Sequence, residues 1–477
     1  MLKKYLSDIA FIQVLNLMVK PIWILVIDAA VQEALPKGEY GNYFGLFTFS
    51  LLFFIILDFG LNSFNTTKVS RNSDNISALT GDIIGFKIIL AIVYLIAVFA
   101  VGTLSGYSSV EFELLLLLCV IQIITSFNQF FRSIVSSLQK FKWDGVFMVL
   151  DRVLLIGFCS ILLWGGIEGL ELSLNKFVYA QIIGLGFVLV SLLIFLFRYL
   201  KNISISFSLK QVKPILIKSW PFAILISLMG LYNYIDGVML ERMVGDEEAG
   251  IYVMGYRFYF ALLMFAQVFS GVLLPFFSKN IKDIEAVKKI ANYTFKFLFL
   301  VGVTAALVTL IYGADILHFR FPTKANDHAI LSFKIIMFGF IGSSLILVYG
   351  TLLTAAVELK YLNIAALTTL IVNWVLNYVL IPKYGAVGAS IATVTSQILF
   401  GSICYLIGQF KFQFKVDLKQ FVVQILSLIV LTLVILFGKQ YVPNTIVHFI
   451  MITIAIIGVA YLFKLFEAKH LKSLSRK

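Results

Sequence analysis

Charge is scarce in this chain. Of its 477 residues only 13% are Asp, Glu, Lys or Arg, 60% are hydrophobic, and the mean hydropathy is +0.98. A soluble domain carries roughly 25% charged residues. Polar stretches are also short, none longer than about twenty residues, so there is no room for a soluble catalytic domain between the apolar runs. Cysteine is nearly missing: Cys119, Cys159 and Cys404 each sit inside an apolar run without C-x-x-C spacing. That excludes a disulfide framework or a cysteine metal site and leaves them as packing residues. The G-x-x-x-x-G-K-[ST] and H-E-x-x-H patterns are absent, which removes support for ATP hydrolysis and zinc chemistry. A membrane-embedded glycosyltransferase, polymerase or ligase would need a large outer loop with acidic or His residues, and the longest one expected here, 313–329, is short.

What the chain has instead is apolar runs of about twenty residues, each enough to cross roughly 30 Å of hydrocarbon as helix. Fourteen are expected: 8–34, 43–67, 81–105, 112–138, 146–165, 174–197, 215–241, 250–278, 290–312, 330–357, 361–381, 385–408, 420–438 and 445–466. Lys3 and Lys4 precede the first as in a signal peptide, but Lys20 and Pro21 interrupt it and no small-residue cleavage site follows, so it reads as a retained, kinked helix. Lys and Arg fall unevenly. The loops on the side of both termini hold 24 and the opposite loops hold six: Lys37, Arg242, Arg320, Lys324, Lys383 and Lys439. Cytoplasmic loops carry the excess, so both termini are expected in the cytoplasm. The net charge of +13 is then mainly a topology signal rather than a nucleic-acid footprint.

Internal similarity sets the architecture. Glu39–Tyr43 (EYGNY) resembles Glu248–Tyr252 (EAGIY) at an offset of 209; LQKFKW (138–143) resembles VELKYL (357–362), with Lys142 and Lys360 offset by 218; Gln181 and Gln397 are offset by 216. Six helices separate the copies, an even number, so the halves run parallel. The expected fold class is an all-α polytopic membrane protein: two parallel-repeat six-helix bundles (1–200 and 201–409) with two further helices and a basic tail (410–477). NYVLIPKYGAVGASIATVTSQ (377–397) fits this scheme as a tight helical hairpin turning at Ile381–Tyr384. Its small residues let helix backbones approach in lipid.

That stretch, together with YNYIDGVMLERMVGDEEAGIYVMGYRF (232–258), resembles the polysaccharide and O-antigen flippases of the MATE-like superfamily. The resemblance implies a two-lobed exporter in a bacterial or archaeal cytoplasmic membrane. Its cargo would be a polyprenyl-pyrophosphate-linked oligosaccharide destined for O-antigen, capsule or exopolysaccharide, and its neighbours a polysaccharide polymerase machinery and the lipid bilayer. Relatives in the superfamily export drugs, which is the alternative reading, or flip the peptidoglycan precursor. No cofactor is implied beyond a coupling Na+ or H+.

Ionisable residues inside the spans mark the candidate site, because each costs a few kcal/mol in lipid unless it faces a cavity or a partner. Eight cations lie there: Lys20, Lys87, Arg132, Arg152, Lys176, Arg257, Lys296 and Lys334. Lys87, Arg152, Lys176, Lys296 and Lys334 are near helix ends, where long side chains snorkel to the interface. Lys20 and Arg257 are deeper, Arg257 by roughly 10 Å, and Arg132 is intermediate, in the polar run 126–137 near a cytoplasmic helix end. They are the expected pyrophosphate ligands, Arg being suited by its fork of donors, and Asp58, a carboxylate central in the second run, is counted with the substrate-binding residues, or is one of the carboxylates the cations neutralise. The competing reading is that these cations balance carboxylates, Arg257 paired with Asp236. Asp236 also suggests an ion site with Asn373 and Asn377, one turn apart on one helix face, and Thr393. Interhelical hydrogen bonding is the alternative for the asparagines.

Overall fold

The computed structural model describes residues 15–62, 76–199, 209–412, 418–441, 451–455 and 458. These residues are helical throughout, apart from short turns, and no strand occurs among them. The helices are α1 (Leu15–Ala34), α2 (Glu39–Leu52), α3 (Ile76–Leu104), α4 (Ser109–Ser137), α5 (Phe141–Trp164), α6 (Leu174–Leu196), α7 (Leu209–Met243), α8 (Asp246–Asn280), α9 (Ile284–Arg320) and α10 (Asp327–Ala355). A long run, Leu359–Phe412, divides at Gly385 into α11 and α12, and α13 (Leu418–Tyr441) follows. The last expected span, 445–466, lies mostly outside the described residues. Among the described residues nine helices are long and apolar enough to cross a membrane, Leu359–Phe412 being one of them. The all-helical membrane fold is therefore as expected.

Local chemistry sets the helix starts. Ser108 and Glu111 close a reciprocal capping box at α4, and Ser173, Asp283 and Asn326 accept from the first-turn amides of α6, α9 and α10. Each satisfies backbone donors that the helix itself leaves over. Two boundaries differ from expectation. The hairpin turns at Gly385, not within Ile381–Tyr384, because its φ of 47° and ψ of −129° suit only a residue without Cβ; Pro382 stays helical just before it. The second span is also not one helix. After Leu52 the chain tightens into a 3₁₀ turn, Phe54–Leu57, and Phe59 and Gly60 take positive φ of 43° and 80°, ending the α-helix in mid-run.

The chain forms two compact units, Met1–Val253 with Asn377–Gly385, and Met254–Leu376 with Ala386–Lys477. In the first, α3, α4 and α6 enclose an apolar core that includes Ile83, Phe86, Phe130, Ile134, Val188 and Leu192. Glycine brings α2 against α7: a Cβ on Gly45 would fall 2.5 Å from Cγ of Glu241, and one on Gly237 2.7 Å from Oγ1 of Thr48. In the second unit α10 and α12 touch backbone to backbone. A Cβ on Gly342 would lie 2.4 Å from the main chain of Gln397, and one on Gly401 2.5 Å from the carbonyl oxygen of Gly342. Ser332 and Ser390 bond hydroxyl to hydroxyl at 2.8 Å in the same seam. The small residues after Gly385 thus do what their composition suggests.

Each unit also contains a buried tyrosine–glutamine pair. Gln181 Nε2 donates to Oη of Tyr43 at 3.0 Å between α6 and α2, and Oη of Tyr259 donates to Oε1 of Gln397 at 2.5 Å between α8 and α12. Both partners are displaced by the same 216 residues, so the parallel repeat is visible as a repeated contact.

Candidate functional site: a cationic cluster in the first unit

Lys20 occupies the last helical turn of α1 before a π-helical stretch, Ile22–Asp28, capped by Pro21. The irregularity expected at Lys20–Pro21 is realised as this wider turn, a feature that recurs at functional positions of helices. It places Trp23 against Phe177, with ring centroids 6.2 Å apart. The guanidinium of Arg152 from α5 lies 5.5 Å from the Trp23 ring centroid. At the end of the π stretch, both carboxylate oxygens of Asp28 accept from Oη of Tyr40 at 2.8 Å.

Two ion pairs complete the cluster. Arg132 on α4 sets Nε 2.8 Å from Oδ1 of Asp144 on α5, and Nε of Arg152 lies 3.4 Å from Oδ2 of Asp151. Lys20 sits in the combined field of Arg152, Asp151 and Arg132. Lys20, Arg132 and Arg152 therefore share a region with the carboxylates of Asp28, Asp144 and Asp151. Each arginine makes its closest approach to its carboxylate through Nε. These pairs are only partly buried, with side-chain exposures of 20% for Arg132 and 36% for Arg152.

The expected site residues fall into separate groups. The structure brings Lys20 and Arg132 together. Asp58 lies at the break after α2, where it caps the amide of Asn62 at 3.2 Å and acts by charge on Lys87. Asp236 and Asn377 are joined directly: Nδ2 of Asn377 donates to Oδ1 of Asp236 at 2.5 Å, and Oη of Tyr252 donates to Oδ2 at 3.2 Å. Asn373 is buried in the second unit, and Thr393 donates to the carbonyl of Ala389 in its own helix. Arg257, 3% exposed, has its guanidinium 5.7 Å from the Phe321 ring centroid.

Arg152 and Lys87 were both expected to snorkel, and neither does so simply. Arg152 belongs to the cluster, and Lys87 is 1% exposed, with Nζ bonded to the Leu57 carbonyl and the Ser126 hydroxyl. Proximity to a helix end was a poor guide because packing, not depth along one helix, decides what a side chain meets. A better signal was available for Arg152, the adjacent Asp151 interrupting the same apolar run. Lys176 behaves as expected, donating to loop carbonyls of Gly169 and Glu171.

A helical membrane protein with this arrangement has the fold of the MATE-like transporters. The solved structure of the lipid II flippase MurJ in an inward closed conformation superposes with a TM-score of 0.72 at 16% identity, covering 96% of this chain and 98% of that one. The model of the polysaccharide biosynthesis protein family matches residues 6–281, and the chain belongs to that family. Among its relatives, an uncharacterized membrane protein of Methanocaldococcus jannaschii is 30% identical over 311 residues, 61% of this chain and 69% of that one. The capsular polysaccharide biosynthesis protein CapF of Staphylococcus aureus is 25% identical over 383 residues, 78% of this chain and 91% of CapF.

Proposed function

We propose that this protein is a flippase, without covalent chemistry of its own, that carries a polyprenyl-pyrophosphate-linked oligosaccharide across the cytoplasmic membrane for surface polysaccharide assembly. The observation that carries this reading is the Lys20–Arg132–Arg152 cluster among the membrane-spanning helices, which contributes two guanidinium forks. A pyrophosphate is the anion those forks match. Head-group contact is assigned to these three residues and none to Asp58 or Arg257, which are turned to protein groups. Transport proceeds by alternating access, the bundles 1–200 and 201–409 rocking while the polyprenyl tail stays in lipid beside 410–477 and the product passes to the polymerase machinery. Both termini face the cytoplasm. An inside-negative potential favours outward movement of the anionic head group by about 2.3 kcal/mol per charge per 100 mV. Any co-ion at Asp236 would use the Asp236–Asn377 pair. Export of cationic drugs is the alternative reading.

The test uses cells that lack the native protein, with lipid-linked oligosaccharide followed on each side of the membrane. Arg132→Ala with Arg152→Ala should leave the precursor on the cytoplasmic side at normal membrane levels of the protein. Arg132→Lys should transport severalfold more slowly, because a point charge replaces a fork. Wild-type rates in the double variant would overturn the reading.

A further inference from the structure

Lys87 is a buried cation that the cluster does not use. Its ammonium lies 2.8 Å from the carbonyl oxygen of Leu57 and 2.7 Å from Oγ of Ser126, and Ser126 itself donates to the same carbonyl at 3.0 Å. That carbonyl is available because the helix has stopped. In a continuous helix it would accept from the amide of residue 61, but Leu61 donates to Asp58 instead, at 2.8 Å. The rings of Phe127 and Phe130, with centroids 5.8 Å from Nζ, face the ammonium. A charge so enclosed is held only while its partners repay several kcal/mol of lost hydration. Here they are one carbonyl, one hydroxyl, two ring faces and the charge of Asp58.

We propose that Lys87 is a proton-binding site that governs the break after α2. Protonated, Lys87 clamps the freed Leu57 carbonyl and holds Phe54–Gly60 in the 3₁₀-and-turn form. When the break opens to water and the proton leaves to solvent, the neutral amine loses its attraction to Asp58 and to both rings, and the clamp loosens. Lysine suits this role because, unlike arginine, it gives up its proton readily when buried. Among the described residues the charged groups around it are Asp58 at the break and Asp82 earlier on its own helix; α4 presents Ser126 and the two rings. This makes H+ a co-ion of the first unit and rests on the transporter reading, but not on the cargo.

The test needs no cargo. Amide hydrogen exchange of residues 53–62 is measured on the purified full chain in lipid nanodiscs from about pH 6 to about pH 10, the range in which a buried lysine can titrate, and corrected for the intrinsic rise in exchange. In the wild type, protection should fall at least tenfold with rising pH. Lys87→Arg, always charged, should show no such fall, and Lys87→Met should be unprotected at every pH. A flat wild-type profile, or a fall of equal size in Lys87→Arg, would overturn the proposal. Because Lys87→Arg keeps the charge, the comparison survives even where Lys87→Met does not fold. A failure here would leave the flippase reading untouched, as no transport is measured.

Discussion

The two units differ in what they bury. The first holds Lys20, Lys87, Arg132 and Arg152 together with Asp58, Asp144 and Asp151 among its helices. The second is joined largely by hydroxyls, amides and glycine: Tyr259 with Ser343 and Gln397, Ser332 with Ser390, Ser270 with Thr351, and Gly342 against Gln397. Arg257 is its buried exception. Both share the tyrosine–glutamine contact. The shared contact belongs to the repeated fold, and the asymmetric charge is what the proposed function rests on.

If close backbone approach holds the second unit, Gly342→Val should give the largest effect. Its Cβ would enter the main chain of Gln397 on α12, where nothing flexible can yield, so a cost at or above the usual overpacking range of about 1–3 kcal/mol is expected. Little folded protein should elute in size-exclusion chromatography. A normal melting curve for this variant would show that the seam is looser than its geometry.

The charged half can be sharpened by comparing its two ion pairs. A double-mutant cycle on Arg132 and Asp144, using thermal unfolding in one detergent, should give a coupling of about 1–2 kcal/mol, below the ~3–5 kcal/mol for breaking a fully buried pair because both side chains keep some exposure. Arg152 with Asp151, longer and more exposed, should give about 0–1 kcal/mol. Equal couplings would mean that the two arginines are held alike and that the geometric distinction between them carries no energy.

The smallest effect concerns what the units share. Tyr43→Phe removes the hydroxyl contact to Gln181, and Tyr259→Phe removes those to Gln397 and Ser343, with about 0.6 kcal/mol, and at most about 1.7, usual for each interhelical bond in a membrane. Both should lower the melting temperature by a few degrees, Tyr259→Phe by more. A large difference between them would separate the two contacts despite their common spacing.

Much of this was legible in the chain. Apolar run lengths set the helices, charges stranded within those runs pointed to Lys20 and Arg132, and the small residues after Gly385 announced a seam that α10 fills. Less legible were the residues whose role depends on another helix. Asp144 sits near the start of α5 and looks like a loop residue until α4 brings Arg132 to it. Lys87 looks like an interface cation until the break after α2 offers it a carbonyl.

By itself, then, the sequence determined that this is a helical membrane protein with a parallel repeat and a cationic interior, because hydrophobicity and backbone hydrogen bonding inside lipid leave few alternatives and are written one segment at a time. Only the tertiary structure decided which cations meet carboxylates and which meet the carbonyl of a broken helix. Those outcomes depend on distances of a few ångströms between residues far apart in the chain, such as Lys87 and Ser126, and no local pattern encodes them.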